Sequence, residues 1–301
     1  MPLTHSFSVG SLQCHTLEAG LARLDGGAMF GVVPRPLWTR RTEPDERNRI
    51  PLAMRCLLVE HPDGLVLVDT GLGNKEEPKF MDIYGVENSG FPGPTQLEDA
   101  LAELGRAPAD IRWVINTHLH FDHAGGNTTA ESIPGGGREV RPTFPNATYV
   151  VQRGELTFAR HTNERTRASY LPPNFEPVTE AGQWRLLDGD GEILPGIEAR
   201  LTPGHVPWHQ SILIRSGGDT AVFLADLIPT SAHLPLAWIM GYDVEPLRTL
   251  ESRRAMLRDA VAGGWLLLFE HDPRVACGRA VAAKDGAALA DEVRAPEPGP
   301  A

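Results

Sequence analysis

Three histidines and one aspartate lie within six positions of this chain, in the segment 117–126. His118 and His120 are two residues apart, so an extended backbone places both side chains on one face, where they can bind one cation. The chain is then predicted to turn, so that Asp122 and His123 point toward a second cation. Neutral imidazole and carboxylate are ligands for zinc or a similar divalent metal, and paired metals recur in hydrolytic sites.

Three later positions could complete two coordination shells. His205 follows the turn sequence Thr-Pro-Gly, Asp226 ends an apolar strand, and His271 ends another. A carboxylate buried at the end of a strand is costly unless it is paired or bound to a metal. Each of these residues, taken singly, fits a structural role as well as a ligand role. Together with the first motif, they are predicted to be metal ligands.

The elements that must position these residues alternate between strands and helices. Apolar and alternating segments predict strands at 7–24, 53–60, 65–69, 111–116, 147–152, 186–200, 211–224 and 265–269. Helical spacing predicts a helix over 95–104 and another through Leu247, Leu250, Leu257 and Val261, ended by Gly263 and Gly264. Residues 25–50 read as a long irregular loop. This order predicts an α/β fold with one domain over residues 1–295, followed by a disordered tail at 296–301.

Composition excludes several classes of function. The 301 residues carry 39 acidic and 28 basic side chains, a net charge of -11 that repels phosphate backbones, so no nucleic-acid partner is expected. Three scattered cysteines do not form a disulfide framework and point to a reducing compartment. No signal segment is visible, and the longest apolar runs are too short to span a membrane. We therefore expect a cytoplasmic protein without a membrane partner.

The order of these ligand positions resembles that of the metallo-β-lactamase fold superfamily, whose pattern is HxHxDH followed by His, Asp and His at strand ends. Residues 68–71 also resemble the family's supporting turn, with Asp69 beneath the metals. The resemblance implies a four-layer αββα sandwich of two mixed β-sheets and two divalent metal ions, Zn²⁺ before Mn²⁺, Co²⁺ or Fe²⁺. It assigns one metal to His118, His120 and His205, the other to Asp122, His123 and His271, and a bridging position to Asp226.

Ligand types narrow the resemblance within the superfamily. No cysteine occupies a ligand position and a bridging carboxylate is present, which departs from true β-lactamases and is similar to lactonases, glyoxalase-II thioesterases and phosphotriesterases. Residues 24–38 and 225–243 resemble quorum-quenching lactonases of the YtnP type over long stretches. The resemblance implies opening of N-acyl homoserine lactones, a small-molecule lactone or ester substrate, and a homodimer.

The same resemblance suggests roles for further residues. Asp122, Asp226 and His233 would act in catalysis, with Asp122 orienting the attacking hydroxide or relaying a proton. Better-known acyl-homoserine lactonases carry a tyrosine three residues after the bridging aspartate, where this chain has Pro229, and Tyr242 or His233 could replace it. The residues expected to contact substrate are Phe30, Trp38, His233, Trp238, Met240 and Tyr242. The loop residues among them could equally pack in the core or against a partner subunit.

Other functions remain open at this stage. The same two metals could serve a phosphotriesterase, an arylesterase or a glyoxalase-II-like thioesterase. An iron-dependent oxidoreductase with bound flavin is a second alternative, although the chain shows no flavodoxin-like segment. A metal-free binding module would require all seven ligand positions to be accidental.

Overall fold

The computed structural model describes residues 2–91 and 93–295, and these divide into two compact units. The first unit contains residues 2–8, 12–20 and 54–188, and the second contains residues 9–11, 21–53 and 189–295. The chain passes between the units more than once, so the prediction of a single domain stays a prediction. The predicted tail, 296–301, lies outside the described residues.

Strands in the N-terminal two thirds of the chain form one large mixed sheet, with the order β1-β2-β3-β4-β5-β8-β9, and a separate hairpin of β6 and β7. Their bounds are β1 (Thr4–Val9), β2 (Leu12–Asp25), β3 (Arg49–His61), β4 (Gly64–Val68), β5 (Ile111–Ile115), β6 (Thr128–Ser132), β7 (Arg138–Pro142), β8 (Thr148–Gln152) and β9 (Trp184–Leu187). Strands β3 and β4 pair antiparallel, while β4, β5, β8 and β9 run parallel. The strands predicted here are confirmed.

The second mixed sheet lies in the second unit and has its strands in sequence order. Its strands are β10 (Gly191–Leu194), β11 (Ile197–Leu201), β12 (Gln210–Ser216), β13 (Asp219–Phe223), β14 (Leu266–Leu268), β15 (Val275–Ala283) and β16 (Gly286–Arg294). Strands β13 and β14 are parallel and the other neighbours are antiparallel. Sequence analysis missed β15 and β16, because their many alanines are poor strand formers.

The helices are α1 (Gly26–Phe30), α2 (Arg35–Trp38), α3 (Pro78–Tyr84), α4 (Gln96–Glu103), α5 (Phe121–Ala124), α6 (Arg153–Arg160), α7 (Glu176–Glu180) and α8 (Pro246–Gly263). The predicted loop at 25–50 therefore contains two short helices. Among the described residues, no helix has both the length and the apolar character needed to cross a bilayer.

Helix α8 ends where the sequence predicts, with Gly264 in the left-handed conformation that closes helices. The four positions that predict this helix are not equally buried. Leu247 is 80% exposed, whereas Met256, Leu257 and Ala260 are in the core of the second unit. Arg253 lies on the same buried face of the helix.

Sheet direction decides where the polar residues after each strand meet. In the first unit, β4 and β5 are parallel, so Asp69 and Thr117 follow them at the same edge. In the second unit, β13 and β14 are also parallel, and Asp226 and His271 follow those strands. Strand β11 runs in the direction of β13 because each is antiparallel to β12, so the loop after β11, with His205, lies at that edge too.

Candidate metal centre

The first unit brings its four predicted ligands together just after β5. His120 is extended (φ -63°, ψ 155°) and α5 begins at the next residue, so the chain turns where the sequence predicts. The ring centroid of His118 lies 4.5 Å from that of His120 and 4.0 Å from that of His123. Ligand atoms of His118 and His120 lie within 4.8 Å of each other, as do those of Asp122 and His123.

Asp69 holds this turn from beneath, as predicted. Its carboxylate accepts hydrogen bonds from the backbone N–H of Thr117 at 2.8 Å, from the Thr117 hydroxyl at 2.6 Å and from Nδ1 of His123 at 3.1 Å. All three residues are fully buried. A carboxylate on Nδ1 leaves Nε2 of His123 as the nitrogen available to a metal.

A second carboxylate, that of Glu155, also contacts the segment that carries the predicted histidine ligands. Oε1 of Glu155 accepts hydrogen bonds from the backbone N–H of Leu119 at 3.0 Å and from the hydroxyl of Tyr170 at 2.8 Å. The Tyr170 ring packs edge-on against His120, with centroids 4.6 Å apart. Burial, together with the Glu155 charge, raises the pKa of Tyr170 well above its ordinary value, so the phenol stays a donor.

An aromatic cluster also packs around the ligand loop. Phe121 lies between two predicted ligands in sequence, and its ring is 4.9 Å from both Phe80 and Tyr84 of α3. Burial and the nearby charge of Asp122 raise the pKa of Tyr84. Helix α3 thus places a neutral phenol near the carboxylate of Asp122, a feature that sequence analysis missed.

The second unit brings the other three predicted ligands together around Asp226. Its Oδ2 lies 3.0 Å from Nε2 of His205, and its Oδ1 lies 3.1 Å from Nε2 of His271. The opposite ring nitrogens are also engaged, since Nδ1 of His205 donates to Asp243 at 2.9 Å and Nδ1 of His271 donates to the carbonyl of Ala53 at 2.8 Å. Each oxygen of Asp226 therefore faces a different, fixed imidazole.

This donor set fits a cation. The Ala53 carbonyl can only accept, so the ring proton of neutral His271 is on Nδ1 and its Nε2 lone pair faces a carboxylate oxygen. Two lone pairs at 3.1 Å attract only when a proton or a metal ion lies between them. Burial opposes protonation of His205, yet the Asp226 and Asp243 carboxylates beside it raise its pKa to about 10. The buried carboxylates beside His205 therefore create a negative environment that a bound cation would compensate.

Backbone conformation beside these ligands is unusual. Ala225, directly before Asp226, has φ 46°, a region that costs an L-residue roughly 1–2 kcal/mol. Gly204, directly before His205, has φ 141°, and a Cβ there would lie 2.3 Å from the backbone nitrogen of Thr249. A side chain at residue 204 is therefore excluded, which explains the glycine in the turn before His205.

Most of the residues predicted to contact substrate are buried. Phe30 and Trp38 are each 1% exposed, and their rings stack at 5.3 Å. Met240 is buried as well. Trp238 is half-buried and Tyr242 is 38% exposed. Phe30, Trp38 and Met240 therefore pack as core residues, and their burial does not support direct contact with a substrate. Trp238 and Tyr242 remain accessible.

His233 has both ring nitrogens engaged inside the second unit. Its Nε2 donates to the carbonyl of Met29 at 2.9 Å, so Nδ1 accepts the hydroxyl proton of Thr230 at 2.7 Å. Its ring stacks on Phe30 with centroids 4.6 Å apart. The buried ring of His233 thus connects α1 to the loop after Asp226. This geometry does not support the predicted contact of His233 with substrate.

The environment of His233 predicts a pH-dependent loss of stability. Burial and the charge of Arg253 lower its pKa to about 4, whereas unfolded His titrates near 6.5. The unfolded chain binds the extra proton between these values, so this residue's contribution to the unfolding free energy falls as pH drops from 6.5 to 4, by on the order of 3 kcal/mol. Urea denaturation across this range should show a shallower pH slope in His233→Gln than in the parent. Equal slopes in both proteins would contradict the prediction.

A family model described as the metallo-beta-lactamase superfamily matches residues 51–265. The chain belongs to this superfamily. Its two mixed sheets and associated helices form the metallo-β-lactamase fold, as the sequence predicts.

Proteins similar to this chain include several that are named N-acyl homoserine lactonases. The chain is 34% identical over 179 residues to an N-acyl homoserine lactonase of a Bacillus species, an alignment that covers 58% of this chain and 62% of that protein. Among solved structures, a probable metal-dependent hydrolase from Staphylococcus aureus shares 30% identity with a TM-score of 0.83, over 95% of this chain and 100% of that one. An N-acyl homoserine lactone hydrolase, solved with N-hexanoyl-L-homoserine at its catalytic metal centre, shares 25% identity with a TM-score of 0.65, over 88% and 94% of the two chains.

Proposed function

We propose that this protein is a dinuclear metal-dependent lactonase that opens lactone rings, above all those of N-acyl homoserine lactones. The observation that carries the proposal is the Asp226 carboxylate, which presents one oxygen to His205 and the other to His271. A carboxylate with its two oxygens directed at two ligand histidines has the form of a bridge between two cations. The names of the relatives supply the substrate class.

The two ligand groups would act together in the arrangement that the superfamily resemblance implies. One metal would be bound by His118, His120 and His205, the second by Asp122, His123 and His271, and Asp226 would bridge them. Histidine nitrogen and carboxylate oxygen suit Zn²⁺ first, and also Mn²⁺, Co²⁺ or Fe²⁺. We further propose that the enzyme acts in the cytoplasm as a homodimer.

The reaction is the addition of water to an ester carbonyl. Water adds to the lactone carbonyl carbon, the bond from that carbon to the ring oxygen breaks, the ring oxygen takes a proton, and an N-acyl homoserine carboxylate and one proton are released. Bound divalent metals would supply a water of lowered pKa and a Lewis acid for the carbonyl oxygen. Asp122, in the first ligand group, would hold the transferred proton. The nearby Tyr84 phenol would stay neutral, because burial and the Asp122 charge raise its pKa.

Substrate recognition would fall to side chains that remain accessible. Pro229 replaces the tyrosine that better-known lactonases carry after the bridging aspartate. The buried ring of His233 is occupied by two partners, so the half-exposed Tyr242 is the stronger candidate for a hydroxyl near the substrate. Trp238 would offer apolar surface to the acyl chain.

A proton-release assay at constant pH tests the proposal, because ring opening liberates one proton per turnover. A panel of N-acyl homoserine lactones of different chain lengths would be compared with paraoxon, a thioester and a β-lactam, each with and without a chelator. We expect chelator-sensitive turnover of the lactones, at rates far above the others. Faster turnover of the thioester or phosphotriester would retain the metal centre and overturn the lactonase assignment.

A further inference from the structure

Arg253 is a fully buried cation in the second unit. It lies on α8 among Met256, Leu257 and Ala260, and its side chain has no measurable exposure. Burying a charge is expensive unless hydrogen bonds compensate, so a guanidinium in this position calls for a specific set of partners.

Those partners are three backbone carbonyls from one stretch of chain. Nε donates to the carbonyl of Leu227 at 2.7 Å, and Nη1 donates to the carbonyls of His233 at 3.2 Å and Trp238 at 2.5 Å. The guanidinium is planar and its donors form a rigid fork, so it fixes the three carbonyls relative to one another. The segment that it holds begins one residue after Asp226.

The Arg253 side chain keeps its positive charge in this buried position. Burial lowers the pKa of Arg253 to about 10, while the charges of Asp243 and Asp226 act in the opposite direction. The side chain is therefore protonated at neutral pH. The three carbonyls that accept its hydrogen bonds stabilise this buried charge.

We propose that Arg253 is a positioning residue for the bridging carboxylate. Arg253 binds the carbonyl of Leu227, the residue after Asp226, and two later carbonyls of the same segment. By fixing this segment, it keeps the two oxygens of Asp226 directed at His205 and His271. The proposal rests on the proposed function, since it assigns Asp226 to a metal centre.

Variants of Arg253 separate positioning from general stability. Arg253→Met keeps most of the volume and removes every donor. Arg253→Lys keeps the charge, but a single ammonium cannot reproduce the fork. The matched control is Arg55→Lys, because Arg55 is also fully buried and donates through Nε to Glu18 at 2.6 Å within the first unit.

Two readouts are independent of lactone turnover: Zn²⁺ affinity by competition with a chromophoric chelator, and the visible spectrum of the Co²⁺-substituted protein. We expect Arg253→Lys to bind metal roughly 10–100-fold more weakly than the parent, as is usual when a group that orients a ligand is lost. Its Co²⁺ bands should shift, whereas Arg55→Lys should lose thermal stability without a change in either readout.

The outcomes are distinguishable. Parent-like zinc affinity and an unshifted Co²⁺ spectrum in Arg253→Lys would overturn the positioning role while leaving the lactonase proposal intact. Equal weakening in Arg55→Lys would also overturn it, because the effect would then be one of stability. A parent protein that binds no divalent metal would instead overturn the proposed function. If Arg253→Met does not fold, Arg253→Lys carries the test.

Discussion

Asp226→Asn should lose metal and lower kcat/KM for lactones by on the order of 1,000-fold, because the lost charge stabilisation amounts to several kcal/mol. An amide keeps one carbonyl oxygen and replaces the other oxygen with NH₂, which cannot bind a metal. In this structure one oxygen of Asp226 faces His205 and the other faces His271, so the NH₂ group must replace the oxygen on one of these two sides. Metal content per chain by elemental analysis, measured beside turnover, checks this expectation.

Asp272→Asn is the matched control for this substitution. Asp272 is also buried in the second unit and accepts hydrogen bonds from the backbone N–H groups of Ser231, Arg274 and Val275, but it is not a predicted ligand. Its amide variant should lower the unfolding free energy and keep the parent's metal content. Equal metal loss in both variants, or full metal content with normal turnover in Asp226→Asn, would contradict the bridging assignment.

The predicted ligand positions could be found from the sequence because strand ends converge. Asp226 and His271 follow two strands that prove to be parallel, so local pattern and sheet direction together place them at one edge. Asp69 could be found in the same way, since it ends the strand beside the one that precedes Thr117. The position of such a residue can be predicted whenever the strand that precedes it is predicted correctly.

The residues that orient the ligands were harder to predict. Asp243, which lies in the chain between Asp226 and α8, accepts a hydrogen bond from His205. Glu155, on α6, accepts one from the backbone of Leu119. Neither residue carries a local signal, because its role depends on how distant segments fold together. Arg253 did leave a signal, since it occupies the helical spacing of the buried positions on α8, where a charged residue is unusual.

The residues predicted to contact the substrate's acyl chain show a different limit of prediction from sequence. Phe30 and Trp38 are apolar residues in the segment predicted as a loop, 25–50, and such residues suit the wall of a binding pocket and a core equally well. The structure places both rings in the interior, stacked on each other and, through Phe30, on His233. Composition alone cannot separate these cases, because both environments select the same side chains.

Asp69→Asn should selectively weaken the metal that we assign to Asp122 and His123. The Asp69 carboxylate accepts from three donors, the Thr117 N–H, the Thr117 hydroxyl and Nδ1 of His123. An asparagine offers one oxygen and turns an NH₂ toward the remaining donors, so His123 loses the partner that orients its ring. We expect metal content to fall from two ions per chain toward one, and kcat to fall roughly 10–100-fold.

A graded companion variant tests whether this loss arises at His123. Thr117→Val removes the hydroxyl, which lies 2.6 Å from Oδ2 of Asp69 and 3.2 Å from Nδ1 of His118, and leaves both the Thr117 N–H and the His123 Nδ1 contacts with Asp69. It should therefore lower the unfolding free energy by about 2 kcal/mol, the net value of two hydrogen bonds, and keep the metal that we assign to Asp122 and His123. Titration with Zn²⁺ and a competing chelator would show an unchanged binding step for that metal in Thr117→Val and a weakened one in Asp69→Asn. If the two variants lose metal equally, the effect comes from the loop as a whole, and the carboxylate–histidine contact is not what sets the affinity of that metal.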